Sequence, residues 1–396
     1  MRPNNRIPGS VIRRERLARG IEQKALCKGI CVPSYLSKIE HGMARPDEIV
    51  LEALYERLGL VCPDRNATAD IVALIDEGMQ RVLYGLDAED IRARLEGIEG
   101  IANSECAPDW LILLGWWGEN TVGALESMWD CLEDDQRCQL ELLRWTHDEG
   151  TDLKKLEAAA RTVGTSHALN VYAYACYFSA DYASVLRLED KLAAQALSEG
   201  NTFQLAEYFA IKGSTYSCLF MDDMMMAYYS RTIHLLQNTA WTGRLDTLYY
   251  NIGATMLNLK RYDEADNYLN RAVGMADEPL MLHKRALLAI RQGDLARGEA
   301  LLDALQRRLS EAEAVKPSDW LRLEEARWEL KPDFLAQQEY LALLDRLLEA
   351  LEREYHFGHV SFYQDVYLGA CKRQRQYRKA LEFQQRISSR SVRIIG

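Results

Sequence analysis

The sequence has no C-x-x-C pair, no long apolar run and no stretch in which β-branched residues alternate with polar ones. Each absence removes a class of protein. The nine cysteines, at positions 27, 31, 62, 106, 131, 138, 176, 218 and 371, are odd in number. Several stand among apolar residues at helical spacing, where a thiol acts as a small hydrophobe, so a reduced chain is expected. The strongest apolar stretch, 110–117, is far too short to cross a bilayer. Arg2, Arg6, Arg13 and Arg14 interrupt any apolar segment at the start, so no secretory signal is expected. These features predict a soluble, cytoplasmic chain with no membrane partner. No G-x-x-x-x-G-K, G-x-S-x-G or H-E-x-x-H occurs, which argues against an enzyme and against a cofactor. His356 and His359 stand at i, i+3, which is at most half of a metal site, and histidines on a helix surface are common, so none is expected.

What is present is helical pattern and a split of charge. The chain has 396 residues, 48% of them apolar, enough for two or three domains or for a small domain on an elongated array. Residues 1–46 hold ten Lys/Arg against three Asp/Glu, a net charge of +7, whereas the rest carries −18 within the total of −11. A basic head on an acidic body suggests that the head meets a polyanion.

The head reads as short helices. One runs from about Ser10 to Arg19 and stops at Gly20; a second starts near Glu22 and stops at Gly29. A third begins at Pro33, which suits a first helical position, turns Leu36 and Ile39 inward and ends at Gly42. The fourth, from Asp47 to Leu58, has an expected apolar stripe of Ile49, Leu51, Leu54 and Leu58. Two short helices, a glycine turn and a third helix describe a helix-turn-helix. Gly20-Ile21-Glu22-Gln23 with Leu26, and Ser34 to Gly42 with its Ile39-Glu40-His41-Gly42 ending, resemble the lambda-repressor/Cro-like family over about 50 residues. Val32 stands where the family commonly has a capping Ser or Thr, and Glu15 where many members have an apolar residue. The resemblance places Ser34, Tyr35 and Lys38 on the outer face of a recognition helix. It makes Gln23 a candidate for a phosphate bond, with Lys38, Arg45, Arg13 and Arg14 as further phosphate contacts.

Residues 61–68 read as a linker, and from Ala69 onward the pattern is helical. Tyr249-x-x-Ile252-Gly253-x-x-Met256 followed by Arg261-Tyr262-x-x-Ala265-x-x-x-Leu269-x-x-Ala272 resembles a tetratricopeptide repeat. Small residues such as Gly253, Ala265 and Ala272 stand where two antiparallel helices must approach. Other units keep the register at Gly213 with Tyr216, at Ala286 with Gly293-Asp294, at Arg375 to Ala380, and more weakly at Ala180-Asp181-Tyr182. Segment 318–353 is helical but out of register, with Pro332 between its helices.

The expected fold is therefore all-α. It comprises a helix-turn-helix domain over 1–62, a linker and degenerate helical pairs over 63–160, and a right-handed superhelical array of tetratricopeptide-like pairs over 161–396. Projecting the register inward gives a wall of Asn170, Tyr174 and Tyr177, then Ile211 and Ser214, then Tyr250, Asn251 and Asn258, then His283, Lys284 and Arg291. Asparagines both donate to and accept from a peptide backbone, and Lys284 and Arg291 suit a carboxylate.

This architecture resembles the peptide-pheromone regulators of Gram-positive bacteria, the Rgg, PlcR and PrgX group, and Lys28-Gly29-Ile30-Cys31 is similar to that group as well. The resemblance implies a quorum-sensing transcription regulator: a homodimer that binds double-stranded DNA through its head and is switched by a short signalling peptide in the array. The linker near Pro63 is where the head is expected to move. Two other readings stay open, a DNA-binding scaffold whose array holds a protein partner, and a bifunctional regulator that also controls a phosphorelay protein.

Overall fold

The computed structural model describes residues 6–61, 67–147 and 152–391, and side chains as far as 387. Among the described residues there is no strand, as the missing alternation predicts. The chain divides into two compact units, residues up to 172 and residues from 173 onward.

The first unit opens with α1 (Ile7–Ala18), α2 (Gln23–Leu26), α3 (Pro33–Glu40) and α4 (Glu48–Leu58). The starts and stops follow local chemistry. Pro33 occupies the first turn of α3, Val32 offers no side-chain cap, and Asp47 caps α4 by accepting from the Val50 N–H at 2.9 Å. Gly59 closes α4 in the left-handed conformation. Helix α1 lies so close to α3 that a Cβ on Gly9 would stand 1.9 Å from the Ile39 carbonyl oxygen. Leu36 and Ile39 point inward as expected, but Ile49 does not: it is 79% exposed. The buried face of α4 is set by Leu54, Tyr55 and Leu58 with Leu51 beside them. This i, i+3, i+4, i+7 row leaves position 49 on the opposite side.

The same unit continues through α5 (Thr68–Leu83), α6 (Glu89–Glu96), α7 (Ala107–Trp116), α8 (Val122–Ser127), α9 (Asp134–Thr146) and α10 (Leu153–Val163). The linker reading at 61–68 falls largely on residues 62–66, Pro63 included, which lie outside the described residues. The head nevertheless has a definite neighbour. Its core residues, among them Val11, Leu36 and Leu58, form one apolar cluster with Ala107, Ile112, Val122, Leu125, Leu140 and Leu143 of α7 to α9. The Tyr55 hydroxyl donates to the Asn103 carbonyl at 2.6 Å, and the Asn103 amide donates to the Val61 carbonyl at 2.8 Å. A head that swung on the linker would have to break this cluster, which a polar linker read from sequence does not reveal.

Helix α11 (Ser166–Phe178) is followed by α12 (Tyr182–Arg187) and α13 (Glu189–Ser198), and then by pairs. These are α14 (Thr202–Cys218) with α15 (Asp222–Leu236), α16 (Arg244–Asn258) with α17 (Tyr262–Arg271), and α18 (Pro279–Arg291) with α19 (Leu295–Glu311). Next come α20 (Pro317–Glu329), α21 (Gln338–Glu354), the short α22 (Phe357–Ser361), α23 (Gln364–Arg373) and α24 (Tyr377–Ser391). One turn recurs. Ala180, Phe220, Lys260, Gly293 and Arg375 each adopt positive φ between two helices. The N–H of the next residue then donates back to the carbonyl of Cys176, Tyr216, Met256, Ala289 or Cys371, at 2.8 to 3.0 Å. Close approach within pairs falls on the expected small residues. A Cβ on Gly213 would meet the Tyr229 ring at 2.4 Å, and one on Gly253 would meet Leu269 Cγ at 2.7 Å.

Candidate functional site

The head presents α3 with Ser34 and Lys38 exposed and Tyr35 half-buried. Tyr35 donates from its hydroxyl to the Arg45 carbonyl at 3.1 Å, which ties the helix to the following loop. Arg13 and Arg45 are exposed, whereas Arg14 is drawn to Glu15, 3.0 Å away. Gln23 has a structural partner: its amide donates to Glu40 Oε2 at 2.7 Å. Glu40 is buried, and Arg16 grips it with two bonds of 2.6 and 2.9 Å while also donating to the Ile21 carbonyl at 2.8 Å. This fork fixes α1, the turn after it and α3 as one piece, so the exposed face of α3 is rigidly held. Sequence reasoning missed Arg16, which sits among exposed arginines and carries no distinguishing pattern.

The second unit contains a cavity of about 330 Å³. First helices wall it, as the repeat register requires. Helix α11 contributes Tyr174 and Tyr177, and α14 contributes Ile211 and Ser214. Helix α16 contributes Tyr250, Asn251 and Asn258, and Lys284 comes from α18. The remaining predicted residues stand elsewhere. Asn170 is buried in the first unit. His283 is turned toward α20, with Nε2 3.8 Å from Glu325 and 3.4 Å from the Tyr363 hydroxyl. Arg291 is held by Glu329 through bonds of 3.0 and 2.6 Å. Residues one position or two turns from Lys284 thus serve the α18–α20 contact rather than the wall.

Several wall groups are already engaged. Tyr174 donates to Glu207 at 3.3 Å, and Ser214 pairs with the Tyr229 hydroxyl at 3.0 Å. Tyr177 donates to His356 Nδ1 at 3.1 Å. Others are not. Among the described residues the Tyr250 hydroxyl, the Asn251 and Asn258 carboxamides and the Lys284 amine have no hydrogen-bond partner, and all four residues line this cavity.

The structure adds residues that the repeat register does not reach. His356, His359, Phe362 and Tyr363 close one side, and Arg322 reaches in from α20. Gly358 donates to His356 Nδ1 at 3.1 Å, and Arg322, a donor only, gives a bond to His359 Nδ1 at 2.8 Å. Both imidazoles therefore carry their proton on Nε2. Burial, with Arg322 nearby, lowers His356 to about 4, and burial with His356 and Arg322 holds His359 well below its ordinary value. No group of His, Cys, Asp and Glu fit to hold a metal occurs among the described residues. The i, i+3 histidines were visible in the sequence, but segment 355–363 lies outside any repeat, so nothing there pointed to the cavity.

Behind Lys284, Glu325 is fully buried and accepts from the Tyr340 hydroxyl at 2.8 Å. Burial, then the charge of Glu329, pushes it up to about 8. The folded chain thus keeps a proton that the unfolded chain loses above its ordinary value of 4.5. Stability from this group is fully present below that value and is lost as pH rises to about 8. Glu325→Gln keeps the acceptor for Tyr340 and removes the titration. Its melting temperature should exceed that of the parent by roughly a few degrees at alkaline pH, with the gap closing as pH falls toward the ordinary carboxyl range. Thermal melts across pH check this; parallel curves would contradict it.

Residues 12–61 match the family profile described as Helix-turn-helix. No curated protein matches the chain. A solved structure that matches is the crystal structure of Bacillus thuringiensis PlcR in complex with the peptide PapR7 and DNA. It is 14% identical, the match covers 82% of this chain and 99% of that one, and the TM-score is 0.30, a likeness that carries no argument by itself. Among the described residues no helix is long and apolar enough to cross a membrane.

Proposed function

We propose that this chain is a transcription regulator. Its helix-turn-helix head binds double-stranded operator DNA as a homodimer, and a short signalling peptide bound in the cavity of the second unit switches it. The DNA half rests on the helix-turn-helix match and on the exposed polar face of α3 within a head of charge +7. A single head covers one half-site, too little for specificity in a genome, which favours a two-fold dimer. The observation that carries the ligand half is the row of unspent polar groups, Tyr250, Asn251, Asn258 and Lys284, on adjoining first helices. Polar groups left without partners in a cavity match the amides of an extended peptide. A folded protein partner needs roughly 800 Å² of surface on each side, which a cavity of this size does not offer. The division into a head over 1–62, helical pairs over 63–160 and an array over 161–396 is proposed as the functional one.

Selection from randomised duplexes with the full chain supplies the operator. Lys38→Ala should then weaken binding to every sequence and flatten the salt dependence, because Lys38 would contact phosphate. Ser34→Ala should change sequence preference, by roughly 1–3 kcal/mol for a lost base contact. Failure to enrich any duplex, with or without peptide, would overturn the regulator reading. For the cavity, Asn251→Ala should lower peptide affinity by roughly 1 kcal/mol while leaving the helical circular dichroism and DNA binding intact. Loss of helical signal would instead make Asn251 a structural residue.

A further inference from the structure

The α18–α20 end of the cavity holds a buried lysine without a hydrogen-bonding partner of its own. Lys284 is 5% exposed, lines the cavity and has no hydrogen-bond acceptor among the described residues. Its Nζ lies 3.0 Å from the centre of the Phe362 ring, with Tyr363 at 5.8 Å. An aromatic face attracts a cation but does not neutralise it. The nearby charges are already matched. Arg291 is taken by Glu329, Arg322 by Asp319 at 2.7 Å, and Glu325 is held in its protonated form by burial. Burial, with Arg322 and Arg291 nearby, holds Lys284 well below its ordinary value, so a partner of negative charge arriving through the open cavity is what restores its proton.

We propose that Lys284, with Arg322 beside it, forms a carboxylate subsite, and that the ligand of this cavity carries a single negative charge at that end. The proposal rests on the cavity being the ligand site and goes further by assigning the ligand's chemistry and its orientation. A carboxylate brings one negative charge for the one proton that Lys284 then holds; a phosphate dianion would leave an unmatched charge in a dry site. Arg322 uses one N–H for Asp319 and one for His359 and has others to give. The carboxylate comes either from a peptide C-terminus or from an acidic side chain.

The test uses the full chain and three pools of random pentapeptides. The first lacks Asp and Glu and has free C-termini, the second lacks them and is amidated, and the third contains Asp and Glu and is amidated. Bound peptides are recovered by rapid gel filtration and weighed by mass spectrometry. Retention of the first pool at least about tenfold above the second, about 1.4 kcal/mol, is the expected result. Retention from the third pool in place of the first identifies a side chain as the source. Lys284→Met keeps the contact with Phe362 and should abolish the preference. Equal retention of the first two pools with nothing gained in the third would overturn the proposal; that comparison needs no variant. 3-Phenylpropionate, followed by thermal shift, serves as a peptide-free probe. If no pool is retained but this carboxylate raises the melting temperature of the parent and not of Lys284→Met, the subsite stands and the peptide reading falls. If neither peptides nor 3-phenylpropionate bind, the subsite is refuted.

Discussion

Replacing Arg16 by methionine should destabilise the first unit by about 3–5 kcal/mol and abolish DNA binding, because Glu40 is left charged and buried without its partner. Glu40 belongs to α3, and it would either draw water into the head or force α3 outward. Gln23 supplies one hydrogen bond and no charge, so it cannot replace the guanidinium. The double change Arg16→Met with Glu40→Leu should recover most of the loss, since an apolar pair of similar volume pays no desolvation. Urea denaturation of the single and double variants measures both steps. If Arg16→Met alone costs less than about 1 kcal/mol, the pair is solvated and is not what fixes the recognition helix.

Gly213→Val should cost the second unit about 3 kcal/mol, and with it ligand binding, while leaving the helix-turn-helix able to bind DNA. The Cβ alone would stand 2.4 Å from the ring of Tyr229, which is fully buried and bonded to Ser214 on the cavity wall. Relief requires α14 and α15 to separate, and α14 carries Ile211 and Ser214 of the cavity. A bulkier side chain at the exposed Gly123, where a Cβ meets nothing, should be neutral in the same assay. Full retention of stability by Gly213→Val would mean that the pair packs more loosely than described.

Much of this was legible from the residues. Glycine and proline punctuation gave the helices of the head, because the backbone conformations at Gly20, Gly42 and Pro33 depend on local chemistry alone. The recurring turn gave the pairs, and with them the positions of Tyr174, Asn251 and Lys284 on the wall. What escaped is non-local. Ile49 fits a hydrophobic stripe by type but not by angle. The Arg16–Glu40 pair spans separate helices. Segment 355–363 enters the cavity only through tertiary packing, and the head's attachment to α7–α9 depends on apolar faces that match in space rather than in sequence.

A ligand bound in one unit should govern DNA binding by the other. This is tested by measuring the affinity of the selected operator for the full chain with and without a retained peptide, and the affinity of that peptide with and without operator. The same factor is expected in both directions, about tenfold, equivalent to about 1.4 kcal/mol of coupling. Peptide affinities that are equal in the presence and absence of operator would contradict it.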